Sequence, residues 1–132
     1  MSVKTIQKLP QTQTPAFNKE EVLIDYRIAN ESRQASLLGR REVLTGKGKF
    51  GIFGDGKEVA QLAMARVFRN GDWRSGYYRD QTFMFAAGLM RIEEFFAQIY
   101  GDTDAAFNPM NAGRLMGNHF STRNQDENGK WL

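Results

Sequence analysis

At Asn18 several signals arrive together and commit the following stretch to one long helix. The side-chain oxygen of an asparagine can satisfy the free N–H groups of a first helical turn, and Glu21 stands three residues on as its capping-box partner. Phe17 and Val22 occupy the N′ and N4 positions of a hydrophobic staple. Val22, Tyr26, Ala29, Arg33 and Leu37 then recur at helical spacing, and Leu23, Leu38 and Leu44 widen the apolar stripe. Gly46 and Gly48 supply a stop, so the pattern predicts a helix from about Lys19 to Leu44. A helix of that length usually packs across an extended surface or a partner subunit.

The flanking segments read differently. Residues 1–17 show neither the helical nor the strand period and are expected to form a flexible or surface-hugging arm, which leaves 18–132 as one domain. Lys49 to Phe53 alternates between glycines as a short extended segment. Asp55, with Glu58 three residues later, reads as the N-cap of a second helix carrying Val59, Leu62, Ala63, Val67 and Phe68, which Asn70-Gly71 ends. Trp73 to Tyr78 has the aromatic content of a short strand or extended connector. Gln81 to Tyr100 is helical, with a break expected at Gly88, and after Gly101 a long loop runs through Asp102, Asp104, Asn108-Pro109, Asn111 and Gly113. Long ordered loops are often functional, so this one is a site candidate. The fold class is mostly α with short extended segments.

Composition narrows the function classes. With 132 residues, 41% hydrophobic and 25% charged, the chain is long enough for a single real core and too apolar for disorder. Zero cysteines exclude disulfides, thiolate metal sites and a thiol nucleophile. The polar N-terminus and the lack of any long apolar run point to a cytoplasmic protein with no membrane contact. A net charge of +3 invites nucleic acid, but the basic residues are scattered and Arg40-Arg41 sits beside Glu42, so a solvated surface is the better reading.

Among the constellations, Tyr77-Tyr78-Arg79 carries the most chemistry. Arginine offers five donors in a planar fork, which suits a diphosphate, and an adjacent phenol adds a directional hydrogen bond. The competing structural reading is aromatic packing around a salt bridge from Arg79 to Asp80 or to a neighbouring helix. His119, the one histidine, has no Cys, Asp or Glu at ligand spacing, but its loop between Arg114 and Ser121 suits acid-base or substrate contact. Gly54-Asp55-Gly56 lacks the downstream Asn pair of a diphosphate-magnesium motif, and it lacks the lysine placement of a phosphate-binding loop.

Five runs occur in order: Arg40-Arg41-Glu42-Val43-Leu44-Thr45-Gly46-Lys47-Gly48-Lys49-Phe50, the stretch from Gly54 to Ala65, the stretch from Ser75 to Met84, Phe95-Phe96-Ala97-Gln98-Ile99-Tyr100-Gly101-Asp102, and Gly113 to Ser121. Together, from about Glu31 onward, they resemble the N-terminal part of the E1 alpha portion of 2-oxoacid dehydrogenases. The resemblance is nearest to the branched-chain type, including bacterial forms with alpha and beta parts in one polypeptide. It implies an N-terminal fragment of the α/β thiamine-diphosphate-binding fold, and oxidative decarboxylation of a 2-oxo acid with acyl transfer to a lipoyl-bearing E2 component. The resemblance also implies an E1 beta part as partner, an oligomeric whole enzyme, and magnesium beside thiamine diphosphate with ligands beyond Leu132. On that basis the chain alone is expected to be inactive. Tyr78 and Arg79 match the pair that faces the cofactor diphosphate, His119 matches a histidine close to the catalytic centre, and Glu58 matches a glutamate at the start of its helix, where capping is the preferred role. Tyr77 stands where branched-chain members often have glutamine, as a further cofactor contact. A non-catalytic helical interaction module and a basic nucleic-acid binder are the alternative readings.

Overall fold

The structure, a computed structural model, describes residues 18–69, 71–115 and Phe120. The N-terminal arm, Phe17 of the staple, Asn70, His119 and the tail from Ser121 lie outside the described residues. Among the described residues the chain forms four helices and no strand: α1 (Lys19–Leu44), α2 (Glu58–Val67), α3 (Gln81–Ala86) and α4 (Ile92–Tyr100). The fold is mostly α, as expected. Helix α1 packs against the other three, and α2 lies against α3.

Helix α1 begins and ends where the sequence places it. The Asn18 carboxamide oxygen accepts from the N–H groups of Glu20 and Glu21 at 3.0 and 3.4 Å, relieving two of the unbonded donors of the first turn. The capping box is only half built, because the Glu21 carboxylate reaches across to Arg66 of α2 at 2.9 Å.

The faces of α1 are the reverse of the expected ones. Its buried residues are Ser32, Ala35, Ser36, Gly39 and Glu42, while Val22, Leu23, Tyr26, Leu37 and Leu44 are exposed. The reason is close approach. A Cβ at Gly39 would fall 2.6 Å from Cε1 of Phe53 and 3.1 Å from Cδ1 of Ile99, so only small side chains fit where the rings of other segments already fill the space. Hydrogen bonds replace apolar contact along this seam: the Ser32 and Thr82 hydroxyls meet at 2.6 Å, and Gln81 Nε2 donates to Ser36 Oγ at 2.7 Å.

The core is aromatic and centres on Phe95, which is fully buried. Its ring meets Phe53, Phe85 and Phe96 edge-on at centroid distances of 6.1, 5.8 and 5.3 Å, and Phe120 at 6.4 Å. Each such side chain contributes about 1.5–3 kcal/mol through burial, and the edge-to-face pairs add to that. Met84, Met90, Phe83, Ile99 and Ala35 of α1 complete the cluster.

The break between α3 and α4 falls where it was expected. Gly88 has φ 66°, a left-handed conformation that ends α3 at little steric cost. Helix α4 then opens with the Glu94 carboxylate accepting from the Arg91 N–H at 2.8 Å. It closes on Gly101 in the same left-handed region.

The segments Lys49–Phe53 and Trp73–Tyr78 run as connectors without strand pairing. The loop from Asp102 to Leu115 is a chain of turns, in which the Asp102 and Asp104 carboxylates accept from the N–H groups of Asp104 and Ala106.

One expected cap is corrected. Lys57, not Asp55, occupies the N-cap of α2, and it makes no side-chain cap bond. The Asp55 carboxylate is taken by Arg40 of α1 at 2.7 Å, a charge-assisted bond stronger than one to a neutral backbone N–H. Glu58, the first residue of α2, instead accepts from the Gly56 N–H at 2.9 Å and from both arms of the Arg33 fork at 2.7 and 3.0 Å. It sits at the helix start as expected, but its carboxylate caps no N–H of the helix and serves the turn before it and the ion pair to Arg33.

Candidate functional site

Arg79 sits in the turn that leads into α3. The Asp80 N–H donates to the Tyr77 carbonyl at 3.1 Å, and the Asp80 carboxylate accepts from the Tyr77 N–H at 2.9 Å. Asp80 does not pair with Arg79, so the salt-bridge half of the structural reading is not formed at that residue, while its aromatic packing is. The Asp80 carboxylate binds Arg74 at 2.6 Å instead, because the Arg74 guanidinium is packed beneath the turn, 4.9 Å from the Phe83 ring centroid. Asp80 is thus neutralised from below, and Arg79 is left facing outward with no ion pair among the described residues.

The main chain at Arg79 is tightly held. Gln61 of α2 donates from Nε2 to the Arg79 carbonyl at 2.8 Å and accepts the Phe83 N–H at 3.0 Å. Gln81 accepts the Gly54 N–H at 3.1 Å. A Cβ at Gly54 would sit 2.1 Å from the Arg79 carbonyl oxygen, so the turn at 54 and the turn at 79 touch main chain to main chain.

Two phenols adjoin the guanidinium. The Tyr78 ring centroid lies 5.7 Å from the Arg79 guanidinium carbon, within the range of a cation–π contact. Tyr77 stacks on Tyr78 at 3.7 Å between centroids, and its hydroxyl donates to the Tyr78 hydroxyl. That hydrogen bond, with some burial, pushes the Tyr77 phenol above its ordinary range and keeps it a neutral donor. The structure therefore brings Tyr77, Tyr78 and Arg79 together.

Arg79 also lines a groove of about 460 Å³ with Arg40, Lys57, Asp55, Ile52 and Phe53. The one acid in this lining, Asp55, is held below the usual carboxylate range by the Arg40 hydrogen bond. Lys57, like Arg79, has no ion pair among the described residues, so two uncompensated cations remain in the groove. This donor set fits an anionic group with several oxygens, such as a diphosphate.

A larger groove of about 880 Å³ between α1 and α4, lined by Tyr26, Leu37, Leu38, Ile92 and Phe96 among others, shares no residue with the first. Its lining is mainly apolar and it brings none of the site candidates together. Among the described residues no three His, Asp or Glu side chains converge as a metal site. No described helix is long and apolar enough to cross a membrane.

His119 lies outside the described residues. Its neighbour Phe120 is buried against Phe95, and the Phe120 carbonyl accepts from Arg74 Nη2 at 3.3 Å. Arg40, Lys57 and Gln61 were not singled out from sequence. One signal was available for the first: Arg33 and Arg40 are seven residues apart on α1, on one face, opposite acids at 55 and 58.

No curated protein and no solved structure matches the chain. The profile described as the dehydrogenase E1 component matches residues 31–128, a span that includes α2, α3, α4, the Arg79 turn and most of α1. That match covers well over half of the sequence, and by it the chain belongs to the dehydrogenase E1 component family, the thiamine-diphosphate-dependent oxidoreductases of 2-oxo acids.

Proposed function

We propose that this chain supplies one wall of the thiamine diphosphate site in a 2-oxoacid dehydrogenase E1 component, as part of its alpha portion and of the branched-chain type. The observation that carries the reading is the groove in which, among the described residues, Arg79 and Lys57 have no ion pair while the one acid of the lining is paired to Arg40. Arg79 gives the diphosphate a planar two-pronged donor, and Lys57 adds a point charge. Tyr78 contributes its hydroxyl, with Tyr77 stacked behind it to fix the ring. Bound thiamine diphosphate supplies the carbon nucleophile and electron sink for decarboxylating the 2-oxo acid.

His119 is assigned to the catalytic centre by the resemblance of its flanking residues, Gly117-Asn118-His119-Phe120. Magnesium accompanies the diphosphate. The family generally works with a lipoyl-bearing E2 component and forms oligomers, and on this reading the partners are an E1 beta part and E2, in the cytoplasm. The exposed apolar residues of α1 support a subunit that packs against others.

Calorimetric titration of thiamine diphosphate and magnesium into a full-length E1 enzyme that contains this sequence tests the assignment. Arg79→Ala removes a charge-assisted contact and should weaken binding by about 1.5–3 kcal/mol. Unchanged affinity would remove the basis for the reading.

A further inference from the structure

The Arg79 guanidinium has no ion pair among the described residues, so its direction is set by its own main chain and by the Tyr78 ring beside it. That main chain is fixed chiefly by one side chain from another helix. Gln61 of α2 is buried, and both ends of its carboxamide are in use: Nε2 donates to the Arg79 carbonyl at 2.8 Å, while Oε1 accepts the Phe83 N–H at 3.0 Å. The Phe83 N–H belongs to the first turn of α3, where no carbonyl of the helix can receive it and Asp80 gives no side-chain cap. One amide group therefore caps α3 from outside and grips the residue two places before that helix begins.

The grip is closed from the opposite side. Gly54 lies so near the Arg79 carbonyl that an added Cβ would stand 2.1 Å from its oxygen, and the Gly54 N–H is itself held by Gln81 Oε1 at 3.1 Å. The carbonyl is thus caught between the main chain at Gly54 and the Gln61 amide. A buried amide bonded at both ends holds one orientation, because turning it over sets the NH2 against the Phe83 N–H and the oxygen against the Arg79 carbonyl.

We infer that Gln61 is a positioning residue for cofactor binding: it touches no ligand, and acts by holding the Arg79 turn rigid against α3 so that the guanidinium is presented to the groove. The inference rests on the cofactor reading of Arg79 given above.

A thermodynamic cycle separates this role from a merely structural one. Gln61→Met keeps the length of the side chain and removes both polar functions. In the full-length E1 enzyme, thiamine diphosphate affinity is measured by calorimetry, with magnesium present, for the wild type, Gln61→Met, Arg79→Ala and the double variant. Gln61→Met should weaken binding about five- to thirtyfold where Arg79 is present, the worth of one or two kcal/mol. It should weaken it no further where Arg79 is already alanine.

Equal weakening in both backgrounds, or none in either, overturns the inference while leaving the cofactor reading in place. An Arg79→Ala chain that binds as the wild type does overturns both. Should Gln61→Met fail to fold, Gln61→Glu enters the same cycle with the same outcomes. That variant keeps the acceptor for the Phe83 N–H and loses the donor to the Arg79 carbonyl.

Discussion

A methyl group at position 54 has nowhere to go. The Arg79 carbonyl oxygen that it would meet, at 2.1 Å, belongs to main chain and cannot swing aside as a side chain would. Gly54→Ala should therefore cost at least the about 1–3 kcal/mol typical of overpacking, read as a lowered urea midpoint with unchanged slope. Glycines with open space around them, such as Gly46, carry no such steric penalty and only the strain of their positive φ. Neighbouring Asp55 shows how far residue-level reading reaches. An aspartate three residues before a glutamate at a helix start matches a local capping pattern, and local patterns see only nearby sequence. The Arg40 that claims it comes from fifteen residues earlier in the chain. Gln61 was hidden for a related reason: a glutamine among apolar residues of a helix reads as surface, and nothing local says that both halves of its amide will be paired in the interior.

At the scale of the element, α1 separates what periodicity encodes from what it does not. Its ends were legible because Asn18 and the glycines after Leu44 act through their immediate neighbours. Which face turns inward was not legible. Apolar spacing points to Val22, Tyr26 and Leu37, yet the inward face is Ser32, Ala35, Ser36 and Gly39, chosen by how closely the other segments approach. A paired substitution checks this inversion. Leu37→Gln, on an exposed side chain, should shift the stability of the isolated chain by no more than about 0.5 kcal/mol. Ser36→Ala leaves the Gln81 amide without its acceptor and should cost about 1–3 kcal/mol, so chemical denaturation should rank the serine above the leucine. The α3–α4 break was readable because Gly88 carries its own conformational signal.

Across the whole molecule, arginine ion pairs strap α1 to the segment that forms α2. Arg33 binds Glu58, Arg40 binds Asp55, and Arg66 of α2 returns to Glu21 and Asp25. Burial pushes the Glu58 carboxyl upward, but the Arg33 fork and the nearby N–H groups outweigh it and hold the group below its ordinary value. Asp55 is likewise held low, by Arg40. A carboxyl whose folded value lies below its unfolded value, about 4 for these types, contributes stability above that pH. The contribution is lost as pH falls through the lower folded value. Urea midpoints measured from pH 6 down to pH 3 should fall steeply at the acid end, and Glu58→Gln should flatten that limb while lowering the plateau. At this scale the family was legible from motif order, whereas the cationic groove was not. Arg40, Lys57 and Arg79 lie in three separate stretches of sequence, and only folding brings them to one surface.

The two glutamine amides that frame the Arg79 turn also label it in time. Gly54 and Phe83 send their N–H groups to side chains 27 and 22 residues away, across the contacts of the start of α3 with the turn at 54 and with α2. The Gly54 proton exchanges when the start of α3 parts from the turn at 54, and the Phe83 proton when it parts from α2, so both report opening around the Arg79 turn. Two amides outside every regular ladder thus become clocks for whether the anion groove is assembled, and an anion that binds only the assembled groove should slow both.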